Sequence, residues 1–266
     1  MPPSFVGLIE GTAEAVSILV RGFSGWLSDQ LSSRKPLVVF GYGLSVISRI
    51  FLFAVHLPWL FGLARIFDRT GKGLRSAPRD AMIADATLAG KNGRSFGITR
   101  FLDTLGAVTG ILVVLLLGAG DGDMTLATFR RCVTIAIPFG LVSLLLLLIA
   151  VPSVSRLTPA KSYISFTIPK EVRGYLLAIG IFSLGNSSDA FLILRAKELG
   201  LSFREILILM LGFNVFAAAL AIPVGYLSDR IGRLRLLICG WLIYALVYAL
   251  VGTITDITGF TIVALS

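Results

Sequence analysis

The sequence predicts an all-α polytopic membrane protein, a bundle of hydrophobic helices that crosses a lipid bilayer several times. Three observations predict it. The first is composition: the chain has 266 residues, 56% hydrophobic and 15% charged, with a mean hydropathy of +0.89, whereas an ordinary soluble domain carries about 25% charged residues. The second is the recurrence of apolar windows of about 20 residues, the length a helix needs to span the hydrocarbon core. The third is that short polar or Gly/Pro-containing breaks separate these windows. Each helix satisfies its own backbone hydrogen bonds, which lipid cannot do.

The spans are read in order as 5–28, 36–57, 58–84, 97–118, 129–151, 174–195, 203–227 and 236–254, with a stub from 257 to the end. The breaks between them are Ser28 to Pro36, Leu57-Pro58, Lys91-Asn92-Gly93, Asp121-Gly122-Asp123, Lys197 to Ser202, Asp229 to Arg235 and Thr255-Asp256. The longest break, 152–173, holds Arg156, Lys161, Lys170, Arg173 and several prolines, and reads as a cytoplasmic linker. It divides an N-terminal half, 1–151, from a partial C-terminal half, 174–266. Met1-Pro-Pro-Ser-Phe has no basic region, and Glu10 and Glu14 interrupt the first apolar run, so no cleaved signal peptide is expected. Cys132 and Cys239 stand alone in apolar runs, without a CxxC or Cys/His cluster, so neither a disulfide framework nor a metal site is expected, and no cofactor is implied.

The formal charge of +9 would point to nucleic acid in a soluble protein. Here it is better explained by basic residues collecting in cytoplasmic loops, and no nucleic-acid partner is expected. One alternating set of loops holds Arg34, Lys35, Lys91, Arg94, the linker bases, Arg230, Arg233 and Arg235; the other holds His56, Asp121, Asp123, Lys197, Glu198 and Asp256. The first set is more basic and is assigned to the cytoplasm, against which only Arg130 and Arg131 count. The N-terminus then lies outside.

A repeat supports the two halves. Gly25-Trp26-Leu27-Ser28-Asp29-Gln30-Leu31 closes the first span, and Gly225-Tyr226-Leu227-Ser228-Asp229-Arg230-Ile231 closes the seventh. Gly, Leu, Ser and Asp match in place, and bases follow both copies. Parallel repeats related by an axis along the membrane normal are one design of secondary transporters.

These two segments resemble the loop signature of the major facilitator superfamily, G-x-L-a-D-r-x-G-r-r, which follows the second and eighth helices of a twelve-helix transporter. The second copy, with Gly225, Asp229, Arg230, Gly232, Arg233 and Arg235, is the closer match; the first keeps Gly25, Asp29 and Arg34 but has Gln30 and Ser32 where the family prefers Arg and Gly. Arg65-Ile-Phe-Asp68-Arg69-Thr-Gly71-Lys72-Gly73 resembles the family's fourth helix, with Asp68-Arg69 in place of Gln-Gly. Arg94-Ser-Phe-Gly97 looks like the entry to the fifth, and Gly106-Ala-Val-Thr-Gly110 resembles the antiporter signature, with Ile111 where a proline is expected. Aligned this way, the chain starts at the family's second helix and stops within the tenth, and the expectation is an incomplete or truncated gene lacking the first, eleventh and twelfth. The resemblance implies that the fourth, seventh and tenth helices line a cavity, and that an Asp such as Asp29 latches a helix terminus in the other half; the plain alternative for Asp29 and Asp229, both read as loop residues, is capping.

Charges inside the spans are the candidate site. Arg65, Asp68, Arg69, Lys72, Arg75, Arg79 and Asp80 fall in an arc of about 140° on the third span, with Ile66, Phe67, Leu74, Ala77 and Pro78 on the other side. A charge facing lipid near the bilayer centre costs about 3 kcal/mol or more, so such a stripe faces the bundle interior or water. Arg65, Arg69 and Lys72 are candidate substrate contacts; the alternative is a structural network through Arg65–Asp68 and Asp68–Lys72. Gly71-Lys72-Gly73 lacks the spacing of a phosphate loop and sits inside a membrane helix, which excludes nucleotide binding there. Glu10 and Glu14 share a face and, with Asp68 and Asp103, are candidates for proton coupling or ion pairing, the ion pair being favoured for the two glutamates. Asn186 and Asp189 share a face of the sixth span and are further candidate substrate contacts.

The function expected is secondary active transport of a small solute by alternating access, in an inner membrane, driven by protons, another coupling ion or exchange. The net basic third span tilts the expectation toward an anionic substrate. The alternatives are efflux of a drug-like compound and a non-transporting scaffold or inactive fragment. An enzyme is not expected: the one histidine, His56, stands beside an external turn, and no nucleophile–base constellation is visible.

Overall fold

The computed structural model describes residues 3–53, 58–117, 125–152, 170–185, 193 and 196–253. Its main elements are α1 (Pro3–Gln30), α2 (Lys35–Phe53), α3 (Pro58–Ala86), α4 (Asn92–Leu116), α5 (Leu126–Ala150), α6 (Lys170–Gly185), α7 (Phe203–Ile231) and α8 (Arg233–Thr253). No strand occurs among the described residues. By length and composition, α2, α4, α5 and α7 are apolar enough to cross a membrane. α3 matches α7 in length, with 29 residues, and falls short through its charges.

Large apolar side chains cover the outside: Leu116 is 85% exposed, Ile149 76% and Leu19 75%. Water would not tolerate this over whole helices, and lipid does not penalise it. What the helices bury instead is small. Ala13, Ser17, Ser24 and Ser28 form the buried seam of α1, and Val38, Gly41, Ser45 and Ser48 that of α2. The protein is an all-α, multi-pass membrane protein.

Several boundaries differ from the sequence expectation, for identifiable reasons. α4 starts at Asn92, five residues before the expected span, because the N–H groups of Gly93 and Arg94 find a carboxylate acceptor in Asp229. α1 continues through Asp29 and α7 through Asp229, so both are helical rather than loop residues. α7 and α8 are separated by Gly232 alone, at φ 92°, a conformation that glycine adopts without strain. Lys170 to Arg173, assigned to the linker, form the first turn of α6.

The chain forms two compact units, residues 1–86 with 129–166 and residues 87–128 with 167–266. In the first, α3 packs along both α1 and α2. A Cβ on Gly73 would stand 2.5 Å from the Ser17 carbonyl oxygen of α1, and one on Gly71 2.6 Å from the Gly41 carbonyl oxygen of α2. Ser24 Oγ donates to the Gly73 carbonyl. Such close backbone approach is the usual way helices associate where lipid removes the hydrophobic drive. α2 also holds α5, since Lys35 Nζ donates to the carbonyls of Leu148 and Val151, 2.7 Å each, at the C-terminus of α5. A cation there complements the helix dipole.

In the second unit α4 packs along α7, with Gly93 and Gly97 against Gly225 and Ala221. Ser202 and Glu205 form a reciprocal capping box at the start of α7. Ala196, Leu201 and Ile206 make a small core beneath it. Phe182 of α6 stacks on Trp241 of α8, centroids 4.7 Å apart, with Tyr244 edge-on at 5.3 Å.

Candidate functional site

The orientation of α3 decides what its charges can do. Gly73 faces α1 and Gly71 faces α2, positions about 160° apart around the helix. Both flanks are therefore fixed, and the wider arc between them, about 200° and centred on Arg65, Lys72, Ser76 and Arg79, remains accessible. All four are half-buried. The stripe read from the sequence is thus a groove floor walled by α1 and α2.

At the α1 wall Arg69 Nη1 lies 3.0 Å from Glu14 Oε2, with the side chains 22% and 45% exposed. Lys72, one turn further along, has Arg69, Glu14, Arg21 and Arg75 as its charged neighbours. Its ammonium makes no hydrogen bond or salt bridge among the described residues. At the α2 wall Arg75 Nη1 donates to Ser45 Oγ at 2.6 Å, and the guanidinium lies over the Tyr42 ring, 4.6 Å from its centroid. Asp68 is within electrostatic reach of Arg75. Arg79 contacts the adjacent Asp80 at 3.3 Å. Among the described residues Arg69 thus meets Glu14 and Arg75 lies within reach of Asp68, while the Lys72 ammonium has no such contact.

The ends of the helices carry two further arrangements. Arg34, only 8% exposed, bridges Asp29 at 3.0 Å and Asp85 at 2.8 Å, tying the loop after α1 to the end of α3. Asp229 does something different. Its Oδ1 accepts from Gly93 N at 2.6 Å and its Oδ2 from Arg94 N at 2.9 Å, so a carboxylate on α7 satisfies the orphan amides at the N-terminus of α4. Arg94 stacks over Tyr226, 5.0 Å from the ring centroid. Gly25 of α1 faces Ala77 of α3, where a Cβ would make ordinary contact, whereas Gly225 lets α7 approach Gly93. The two copies of the repeat thus use their aspartates unlike one another. Arg230 and Arg233 are exposed, on either side of Gly232.

Other sequence candidates lie in the second unit or outside the described residues. Asp103 lies on α4, in the other unit, with an interaction of its own. Glu10 lies on α1, but its side chain is outside the described residues, as are Asn186 and Asp189. Among the described residues no group of three or more His, Cys, Asp or Glu side chains is placed to hold a metal. Sequence reasoning missed Arg21 and Arg49. Arg49, the one charge in the apolar interior of α2, carried its own signal, since an ionisable residue inside a span is a functional candidate by default.

Comparison with known proteins bears on this arrangement. Residues 174–266 match the family model of the Major Facilitator Superfamily. An uncharacterised MFS-type transporter of Methanocaldococcus jannaschii is 33% identical over 258 residues, covering 91% of this chain and 62% of the relative. An uncharacterised protein of Mycobacterium tuberculosis is 30% identical over 109 residues, 41% of this chain and 27% of the relative. Multidrug resistance protein MdtH of Cronobacter sakazakii is 30% identical over 108 residues, with the same coverage. The chain spans less than two thirds of the length of each of these relatives.

Proposed function

Because this chain belongs to the major facilitator superfamily, we propose that it is a secondary active transporter of a small anionic solute, working by alternating access in an inner membrane. The observation that carries the reading is the cationic groove on α3. Glu14 neutralises Arg69, and Asp68 offsets one further charge. Lys72, which makes no hydrogen bond or salt bridge among the described residues, then keeps positive charge that a carboxylate or phosphate can neutralise. Each charge-assisted hydrogen bond made there contributes about 1.5–3 kcal/mol. Arg69 takes part by exchanging its Glu14 partner for the solute.

In this reading the ion bridges of Arg34 and the Asp229–α4 contact hold helix ends together in one state of the cycle and part in the other. Both are polar and sit at helix termini, so they can break without opening a cavity in packed apolar structure. No nucleotide site drives the cycle. A proton, another ion or exchanged solute does, with Glu14, released from Arg69, as the coupling carboxylate in this unit. Substrate uptake by proteoliposomes tests this: anionic compounds are taken up by the wild type, and Lys72→Met abolishes uptake without loss of folded protein.

The relationship to multidrug resistance protein MdtH favours a second reading, efflux of a hydrophobic compound. Under that reading the groove charges are structural, and Lys72→Met leaves transport of neutral or cationic compounds intact.

A further inference from the structure

Arg49 lies in the apolar run of α2, about 21 Å along the helix from Lys35 at 1.5 Å per residue. Its Nη1 donates to the Ala136 carbonyl of α5 at 3.2 Å. The guanidinium rests on Gly140, where a Cβ would collide with it, two residues from Pro138 within α5. An arginine presents five N–H donors, and this bond is the one it makes among the described residues.

Tyr42, Ser45 and Arg49 share an arc of about 60° on α2. This arc faces the notch between α3, which meets α2 at Gly41 and Ser45, and α5, which meets it at Val46 and Arg49. Arg75 enters the same notch from α3, bonded to Ser45 and stacked on Tyr42. α2 and α3 run antiparallel, since Gly41 and Ser45 oppose Arg75 and Gly71 while Phe51 stacks on Phe67 nearer the other end. Helical side chains lean toward their own N-terminus. On antiparallel helices Arg49 and Arg75 therefore lean toward each other, converging at the level of Ser45. Asp68 is level with Arg49 in this register and acts electrostatically on Arg75, as do Arg79 and Arg49. One carboxylate cannot balance two guanidiniums, and most of their N–H donors make no hydrogen bond among the described residues.

We propose that Arg49 and Arg75, converging on Ser45 in the α2–α3–α5 notch, form an oxyanion subsite that takes a phosphate- or carboxylate-type group. Two guanidiniums offer planar, paired donors to such an anion, and the Ser45 hydroxyl keeps Arg75 turned into the notch. The subsite adjoins the Arg65–Arg69–Lys72 stripe, Arg75 standing at the boundary between them, and its existence does not depend on transport. The oxyanion is either a free inorganic anion or a second acidic group of a larger solute.

The test is thermal unfolding of the purified protein in detergent, with inorganic phosphate or succinate titrated at constant ionic strength against chloride. The wild type and Lys72→Met are expected to show saturable stabilisation by phosphate. Arg49→Gln and the milder Ser45→Ala should each raise the apparent phosphate Kd about tenfold or more. Asp68→Asn, which removes the competing carboxylate, should lower it. Equal response to succinate assigns the subsite to oxyanions generally, and response to phosphate alone assigns it to a free phosphate or phosphoryl group. The proposal is overturned if the wild type shows no saturable stabilisation by either anion, or if folded Ser45→Ala and Arg49→Gln respond as the wild type does. It is equally overturned if Lys72→Met alone loses the response, since phosphate then binds the stripe. If Arg49→Gln does not fold, Ser45→Ala decides.

Discussion

At the scale of single residues the groove is a problem in charge arithmetic. Glu14 lies close enough to Arg69 for an ion pair, so Lys72, with no such partner among the described residues, carries the larger share of the uncompensated charge. Lys72→Met should weaken anion binding by one charge-assisted contact, about tenfold to a hundredfold, measured by calorimetric titration. Glu14→Gln should act in the opposite direction, since it frees the Arg69 guanidinium for the solute while keeping a hydrogen-bonding side chain. A loss of anion affinity in folded Glu14→Gln would show that Glu14 holds Arg69 in its binding position rather than competing for it. Arg69→Gln should weaken binding by about tenfold or more. The stripe itself was legible in the sequence, because helical period alone puts Arg65, Arg69 and Lys72 on one face. Their partners were not. Glu14 stands 55 positions from Arg69, and Ser45 stands 30 from Arg75, and one helix's periodicity says nothing of which face of another it meets.

At the scale of elements, glycine separates contact from ornament. On α4, an added Cβ at Gly93 would meet the Gly225 carbonyl and the Asp229 carboxylate, and one at Gly97 the Ala221 carbonyl, whereas Gly106 and Gly110 have nothing within 4 Å. Gly93→Ala and Gly97→Ala should therefore lower the unfolding temperature, each costing about 1–3 kcal/mol of packing. Gly106→Ala should be neutral or stabilising, because alanine is the better helix former by about 1 kcal/mol. Equal effects at all these positions would show that α4 does not pack on α7 along this face. Asp229→Ala should cost about 1–2 kcal/mol, as the loss of a helix cap does, and Asp229→Asn less, since an amide oxygen still accepts one N–H. The sequence marked the repeat correctly as a pair but could not say that Asp29 meets Arg34 while Asp229 meets the start of α4. That difference depends on which helix end lies alongside, 135 residues away in the chain for Arg94. The early start of α4 escaped the sequence reading for the same reason, because Asn92-Gly93 looks like a break until its cap is known.

At the scale of the whole molecule, the helical and membrane character was legible from composition and apolar windows, which depend on the solvent and not on tertiary detail. The charge bias of the loops sets an expected topology, and several contacts agree with it. Lys35 meets the end of α5, Arg34 the end of α3, and Asp229 the start of α4, each joining segments expected on one side. Single cysteines at Lys35, Lys91 and Arg235, in a background free of Cys132 and Cys239, should resist impermeant thiol reagents in intact cells, and one at Lys197 should react. Labelling of residue 91 from outside would reverse the assignment. The central claim is that the groove on α3 holds an anionic solute. It is tested most directly by measuring, at fixed ionic strength, the thermal stabilisation of wild type and Lys72→Met by a panel of organic anions, neutral compounds and organic cations. The account predicts that the stabilising compounds are anions and that Lys72→Met raises the apparent Kd of the groove's anion about tenfold or more, leaving in place any stabilisation through Arg49 and Arg75; stabilisation by neutral or cationic compounds, undiminished in Lys72→Met, would contradict it.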